Sequence, residues 1–584
     1  MQLANLVAEE SHSRWKVGLI TVAFLALITS LPQLYLVYVR GSDWNGSCAY
    51  LDTDEFAYAA YTNALIDDRS RRNDPYSGKD DGTFETLYSI QFLPPYSLAL
   101  PAKIVHLSTS SAFIVLLPLA TIATSVMLLW FLSEITGSVA VAGIGTIGVI
   151  CLGTIAALHP SEIVTGLREP LPFFPVVRRY IPALAYPVWI AIGLFMWRAL
   201  TKNSLWAVWA GLGFAILVYS YFFLWTATAA WFFVLIALWF ILRPTERARV
   251  WRVIAILSTM TVGSLIPYAW LLTHRAKSMD GPLLLETTHA PDLFRSTELY
   301  GLLLICALAF FWKRKKLDGR NPKFLFVLSF AIAPLLIFNQ QVVTGRSLQP
   351  FHYEQFVTNY WIVLAGFIAL GTMHTGLPKR TLVYLTITVT FISVLVGVHA
   401  ARMTLDMNVQ LDEARAVVLR LRQENNEGVV LTSNLLLANA VVMNSRNPVL
   451  WARHLYTFSN VDLAGQRKRF FQYLYYLGKD EGELARDLQN DFVARWEIFG
   501  AQRTNAVLAS NDDSVTQDEI NNSAKEYGAF GNSFDSILAT SPSLSYALVS
   551  PSADLKNLDK WYDRTLVEKS GPYVLYRLQV RVSR

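Results

Sequence analysis

Uninterrupted apolar blocks constrain this chain more than any motif in it. A hydrocarbon core about 30 Å thick needs about 20 helical residues to cross it. Residues 15–38, 109–133 and 138–158 are such blocks, with few or no charges. Eight more follow at 181–198, 203–219, 222–242, 250–272, 298–312, 323–341, 358–373 and 379–399. Composition agrees, with 53% hydrophobic and only 16% charged residues, against about 25% charged in soluble domains. Backbone polar groups in lipid must find partners inside their own segment, so the blocks read as helices. The expected fold is a polytopic α-helical membrane protein with eleven crossings. The first block is too long for a signal-peptide core and lacks a small-residue cleavage site, so it reads as a retained helix.

The formal charge is +6, but the bases form short runs between apolar blocks rather than one soluble face. Arg243, Arg247, Arg249 and Arg252 make one run, and Lys313, Arg314, Lys315 and Lys316 another. Nucleic acid is therefore not an expected partner. Placing the N-terminus in the cytoplasm puts each strongly basic short connection inside, as the positive-inside bias requires. An odd number of crossings then leaves the loops 41–108, 159–180, 273–297 and 342–357, and everything after residue 400, on the outer face. The reading is a multi-pass cytoplasmic (plasma) membrane protein with an extracytoplasmic C-terminal domain, and it favours a bacterial membrane.

From residue 400 onward charge returns and the apolar runs shorten, which divides the chain into a transmembrane domain, 1–400, and a soluble α/β domain, 401–584. Within the latter, 428–432 (GVVLT), 545–550 (SYALVS) and 573–580 (YVLYRLQV) read as strands, with helices near 403–424, 462–476 and 480–494. The three cysteines match no metal spacing. Walker, Rossmann and His-Glu-x-x-His patterns are missing, which removes the sequence support for nucleotide-driven pumps, redox enzymes and zincins. The interiors of the apolar blocks hold almost no ionisable residues, whereas ion-coupled transporters use such residues at the midplane.

Chemistry therefore belongs to the outer loops. Residues 41–90 hold ten acids and four bases. Within them Asp54, Tyr58, Tyr61 and Leu65 recur at helical spacing, giving a helix with one face along the membrane surface and Asp54 at its N-terminus. A carboxylate there is favoured by the helix dipole and stays ionised, as a proton acceptor or metal ligand must. The competing assignment makes Asp52 or Asp54 an N-cap. The second outer loop carries Glu162, Arg168, Glu169, Arg178 and Arg179 among four prolines. Its arginine forks suit phosphate, although a pair at this place also fits snorkelling. Residues 339–354 add amides, Arg346, His352 and Glu354, which offer donors and acceptors to a phosphate or sugar.

The stretch Asp54-Glu55-Phe56-Ala57-Tyr58-Ala59 matches an Asp-Glu-x-x-Tyr-Ala pattern. Together with its place after the first helix, the eleven-helix topology and the outer domain, it resembles the GT-C superfamily of integral membrane glycosyltransferases. Gly345-Arg346 to His352 is similar to the last outer loop of bacterial members. The resemblance implies sugar transfer from a polyprenyl-phosphate donor to a glycan or lipid acceptor of the cell envelope, with inversion and a carboxylate base. By matching, Asp54 is the general base and Glu55 its neighbour or substitute. Arg178, Arg179, Arg346, His352 and Tyr58 are the substrate and phosphate candidates. Some members bind a divalent metal ion at the acidic loop, for which Asp54, Glu162 and Glu169 are the candidate ligands. The chain departs from the oligosaccharyltransferase branch in lacking Trp-Trp-Asp, its nearest string being Trp561-Tyr562-Asp563. A lipid-linked glycan polymerase or ligase, and a transporter or flippase of lipid-linked glycans, are the alternatives.

Overall fold

A computed structural model describes residues 2–80, 83–158, 174, 178–276, 285–314, 317–372, 379–424, 426–458, 462–504 and 515–581. All eleven apolar blocks coincide with helices. Among the described residues, eight helices are long and apolar enough to cross a membrane: Trp15–Asp43, Thr109–Thr136, Phe222–Leu242, Pro244–Thr273, Ser296–Lys313, Pro322–Thr344, Pro350–Thr372 and Arg380–Met403. Three blocks form shorter helices over Val139–Ala156, Tyr186–Thr201 and Trp206–Val218. The last has 13 residues, which at 1.5 Å per residue extends about 20 Å, less than one hydrocarbon core. The chain is a multi-pass helical membrane protein that also carries a C-terminal β-containing domain.

Its Cα framework divides into two compact units. The first comprises residues 1–36, 114–270 and 287–405. Large apolar side chains such as Trp15, Leu19, Phe233 and Ile266 stay exposed on its helices, as expected where lipid rather than water is the solvent. Inside, Trp231 stacks on Phe330 at 4.9 Å and donates its indole N–H to Ser329 Oγ. Close helix approach is bought with glycine. A Cβ at Gly148 would lie 2.3 Å from the Phe367 ring, and one at Gly153 would lie 3.1 Å from Tyr360. The small-residue spacing of Val139–Ala156 is thus a packing surface for Asn359–Thr372.

The second unit comprises residues 37–113, 271–286 and 406–584. The first outer loop, assigned to the membrane domain on sequence, therefore packs in the same unit as the C-terminal residues. Backbone and buried side chains are exchanged along its length. Asn408 accepts from Tyr50 N at 2.7 Å and donates to Tyr50 O at 2.8 Å, while Asp412 accepts from Asn45 N and Ser47 N. Asn63 donates to the carbonyls of Val442 and Ser445, and Tyr76 donates to Asn439. A loop rich in polar groups can be buried only if such partners exist.

The unit contains one four-stranded mixed sheet. Its strands are β1 (Val429–Thr432), β2 (Leu544–Val549), β3 (Tyr562–Ser570) and β4 (Tyr573–Val580), in the order β1-β2-β4-β3. β1 runs parallel to β2, and the remaining pairs are antiparallel. The three runs read as strands from sequence are β1, β2 and β4. β3 was not anticipated because Asp563, Arg564, Glu568 and Lys569 break any apolar alternation, which is the composition of a protected sheet edge. The helix expected over 480–494 is two, Glu481–Asn490 and Phe492–Phe499. Asp491 is extended between them and caps the second by accepting from Val493 N.

Candidate functional site

The helix opening the candidate site runs from Asp54 to Ile66. It does not lie with one face along a surface: every residue from Glu55 to Leu65 is buried. The helix packs between Leu93–Ile104 and Leu435–Asn444 of the same unit, so its whole circumference is used. That is why its hydrophobicity shows no clear amphipathic face.

The acids at its start divide their work. Glu55 is fully buried, and its Oε2 accepts from Leu51 N at 2.5 Å and Asp52 N at 3.1 Å. Asp52 Oδ1 accepts from Asp54 N at 3.1 Å. Between them Glu55 and Asp52 accept from the amides of Leu51, Asp52 and Asp54, while the N-cap position is Thr53, whose side chain makes no capping bond, so neither Asp52 nor Asp54 is the N-cap. Asp54 retains a side chain 45% exposed. Tyr58, one turn on, is buried edge-on to Tyr88 at 6.1 Å, and Tyr88 stacks on Phe458 at 4.6 Å.

Sequence reasoning missed His454. It belongs to the 3-10 segment Arg453–Thr457, is 3% exposed, and places Nε2 3.9 Å from Asp54 Oδ1. The Tyr76 ring lies 6.0 Å from the imidazole. Four hundred residues separate His454 from Asp54, and a lone histidine among ordinary C-terminal residues carried no spacing signal.

Four other acids of this loop, Glu85, Asp67, Asp80 and Asp74, are engaged elsewhere. Glu85 receives both guanidinium nitrogens of Arg71 at 2.6 Å and the Ser89 hydroxyl at 2.7 Å. Burial works to raise this carboxyl, but the Arg71 and Ser89 hydrogen bonds and the charges of Arg71 and Arg72 hold it below the usual range. The Glu85 backbone bonds His274 O and Ala276 N, tying in the segment 271–276. Asp67 pairs with Arg422, and Asp80 with Arg69. Asp74 is fully buried among Tyr76 N, Ser77 N and Ser77 Oγ, and burial raises its carboxyl despite those bonds.

The cationic candidates belong to the first unit. Arg178 and Arg179 are both buried, and the Arg178 guanidinium sits 5.2 Å over the Phe356 ring. The His352 ring lies 5.4 Å from Phe356 and 4.6 Å from Phe223. Phe356 thus brings Arg178 and His352 together. Arg346, exposed at the start of the strand Arg346–Leu348, follows Gly345, whose φ of 69° ends the preceding helical turn in the left-handed region. Glu162 and Glu169 lie outside the described residues. Among the described residues no three His, Cys, Asp or Glu side chains cluster as a metal site requires, and Asp54 with His454 supplies only two.

No family model and no curated protein matches the chain. Among solved structures it is similar to the archaeal oligosaccharyltransferase AglB from Archaeoglobus fulgidus, solved with an inhibitory peptide and a dolichol-phosphate. That match has 11% identity and a TM-score of 0.38, and covers 95% of this chain and 73% of that one. It is also similar to the Archaeoglobus fulgidus oligosaccharyltransferase in the apo form, with 13% identity, a TM-score of 0.33, and coverage of 95% and 74%.

Proposed function

We propose that this chain is a membrane glycosyltransferase that moves a sugar from a polyprenyl-phosphate donor to a glycan or lipid acceptor on the outer face of the membrane. The observation that carries the reading is the contrast at the start of the Asp54 helix. Three loop amides are taken by Glu55 and Asp52, while Asp54 keeps a half-exposed carboxylate facing His454. The Asp54-Glu55-x-x-Tyr-Ala resemblance to GT-C transferases supports the same assignment.

In this mechanism Asp54 accepts the proton of the acceptor hydroxyl as that oxygen bonds to the anomeric carbon. The bond from that carbon to the phosphate oxygen breaks, and polyprenyl phosphate leaves with the electron pair. Attack opposite the leaving group inverts the configuration. A positioned base contributes about 10² to 10⁴ in rate. Arg346, Arg178, Arg179 and His352, all of the first unit, are the proposed phosphate ligands, with Arg178 and His352 both lying against the Phe356 ring. Glu55 shapes the loop rather than substituting for Asp54, because its carboxylate is committed to backbone amides. No step is routed through a metal. The same reading keeps the N-terminus cytoplasmic and the C-terminal domain outside, on the evidence of the basic runs.

The test is sugar release by the full-length protein in lipid, from a panel of polyprenyl-phosphate and polyprenyl-diphosphate sugars, for wild type and Asp54→Asn, with and without a chelator. Turnover of the monophosphate donors that disappears in the variant supports the proposal. Preference for diphosphate-linked oligosaccharides transfers it to the polymerase or ligase reading. Lipid translocation without sugar release, unchanged in Asp54→Asn, rejects it for a flippase.

A further inference from the structure

Two connections of the membrane unit, expected from sequence to be water-facing loops, carry large apolar side chains outward. Leu293, Phe294, Val342, Val343 and Phe351 are all exposed, Phe294 by 70% and Val343 by 87%. Contiguous exposed apolar patches mark interaction surfaces. Phe294 also has a φ of 75°. Bulky residues seldom adopt this left-handed backbone, so the chain holds that turn, with its ring exposed, at a cost in strain.

Hydrogen bonds hold the two connections together. Thr288 N donates to Gly345 O at 3.1 Å, His289 Nδ1 to Val342 O at 3.1 Å, and Gln341 Nε2 to Ala290 O at 3.2 Å. Arg295 bonds both Asp292, at 2.6 Å, and Glu354, at 3.2 Å. Segments 288–295 and 341–354 thus form one knuckle, in which these amides and charges engage one another while the apolar side chains stay uncovered. Irregular backbone is tolerated at membrane depth only where its polar groups are satisfied by protein.

Helix lengths say what covers it. The helix Ser296–Lys313 has 18 residues, about 27 Å at 1.5 Å per residue, which is about 3 Å less than a hydrocarbon core. Leu293 and Phe294, directly before it, supply the missing apolar length. On the 23-residue span Pro322–Thr344, Val343 stands about 32 Å along the axis from Pro322, at the far boundary of that core. Leu303 and Phe310 of Ser296–Lys313 are exposed as well, so the patch continues the lipid-facing surface of that helix. We propose that the knuckle is seated in the bilayer, its apolar side chains among the acyl chains at the level where these meet the headgroups. The seat belongs to the membrane unit alone and needs no assignment of transferase chemistry.

Spin labels on the full-length protein, in nanodiscs of phosphatidylcholine and phosphatidylglycerol, test this. The background is Cys306→Ser, since Cys48 and Cys151 are buried and Cys306 is exposed. Labels are placed at Phe294→Cys and Val343→Cys, with Phe310→Cys as the lipid reference and Ile537→Cys, exposed in the other unit, as the water reference. Power saturation then compares access of oxygen, which concentrates in lipid, with access of a water-soluble nickel chelate. The oxygen-to-nickel ratio at 294 and 343 should match that at 310 and exceed that at 537 several-fold. A ratio like that at 537, at either position, overturns the seat. Exclusion of both reagents also overturns it, in favour of a protein surface covering the patch. Since the replaced side chains are exposed, each labelled variant should melt with the background protein; if one fails to fold, Phe351→Cys takes its place under the same criteria. The discs hold no polyprenyl lipid, so a lipid signature there belongs to the bilayer and not to a bound donor.

Discussion

The two ends of the first outer loop treat their carboxylates in opposite ways. At the closing end, Glu85 is gripped by both nitrogens of Arg71 and by Ser89, with Arg72 nearby. At the opening end, Asp54 is half exposed and faces an imidazole across 3.9 Å. A carboxylate saturated by a guanidinium fork is a weak base and a strong fastener. One that keeps a lone pair toward solvent can take a proton from a substrate. Acidity in a loop is therefore no guide to chemistry until each acid's partners are known.

Four experiments break or sharpen that contrast. Asp54→Asn should lower turnover by about 10² to 10⁴ and leave the melting temperature near that of wild type. A large loss of stability instead would make Asp54 a fastener like Glu85.

Glu497 offers a third case, a buried carboxylate with no cation at salt-bridge distance among the described residues. Burial pushes it up to about 8, against the opposing effects of the Trp451 hydrogen bond and the Arg453 charge. Its folded value lies above its unfolded one, so the contribution to stability is complete below the ordinary carboxylate range and is lost as pH rises to about 8. Wild type should weaken across that window, on the order of 1.4 kcal/mol per pH unit at most. Glu497→Gln should flatten the dependence, as chemical denaturation at pH 5 and pH 8 would read.

Glu85→Gln should cost about 1.5–3 kcal/mol, the range for hydrogen bonds to charged groups, with kcat little changed in the folded fraction. Here the folded value is depressed, so the stability is present above the ordinary carboxylate range and is lost as pH falls through the lower folded value. Acid titration of the melting temperature should show that loss in wild type and not in the variant. The smallest effect belongs to Arg346→Ala. An exposed phosphate contact should raise the donor KM about tenfold or less, and an unchanged KM would shift the phosphate to the buried cluster at Phe356.

Deleting residues 401–584 would not isolate the role of that segment, because it packs in one unit with the first outer loop. Asn408, Asp412, Val442 and Ser445 satisfy polar groups of residues 45–63. Removing them would leave buried donors and acceptors unpaired in the very loop that bears Asp54.

Periodicity and length are local properties, so the sequence by itself determined the eleven apolar helices, three of the four strands, and the acid pair after the first helix. The same local rules failed where neighbours decide. Glycines in Val139–Ala156 are explained by Phe367 and Tyr360, which lie two hundred residues away. β3 is a strand because β4 pairs with it, against its own polar composition. Only tertiary structure separated Asp54 from Glu55, since the Glu55 carboxylate is fully buried against two backbone amides and the Asp54 side chain stays 45% exposed. Only tertiary structure brought His454 to the loop, because a contact between distant segments leaves no period or spacing in either of them.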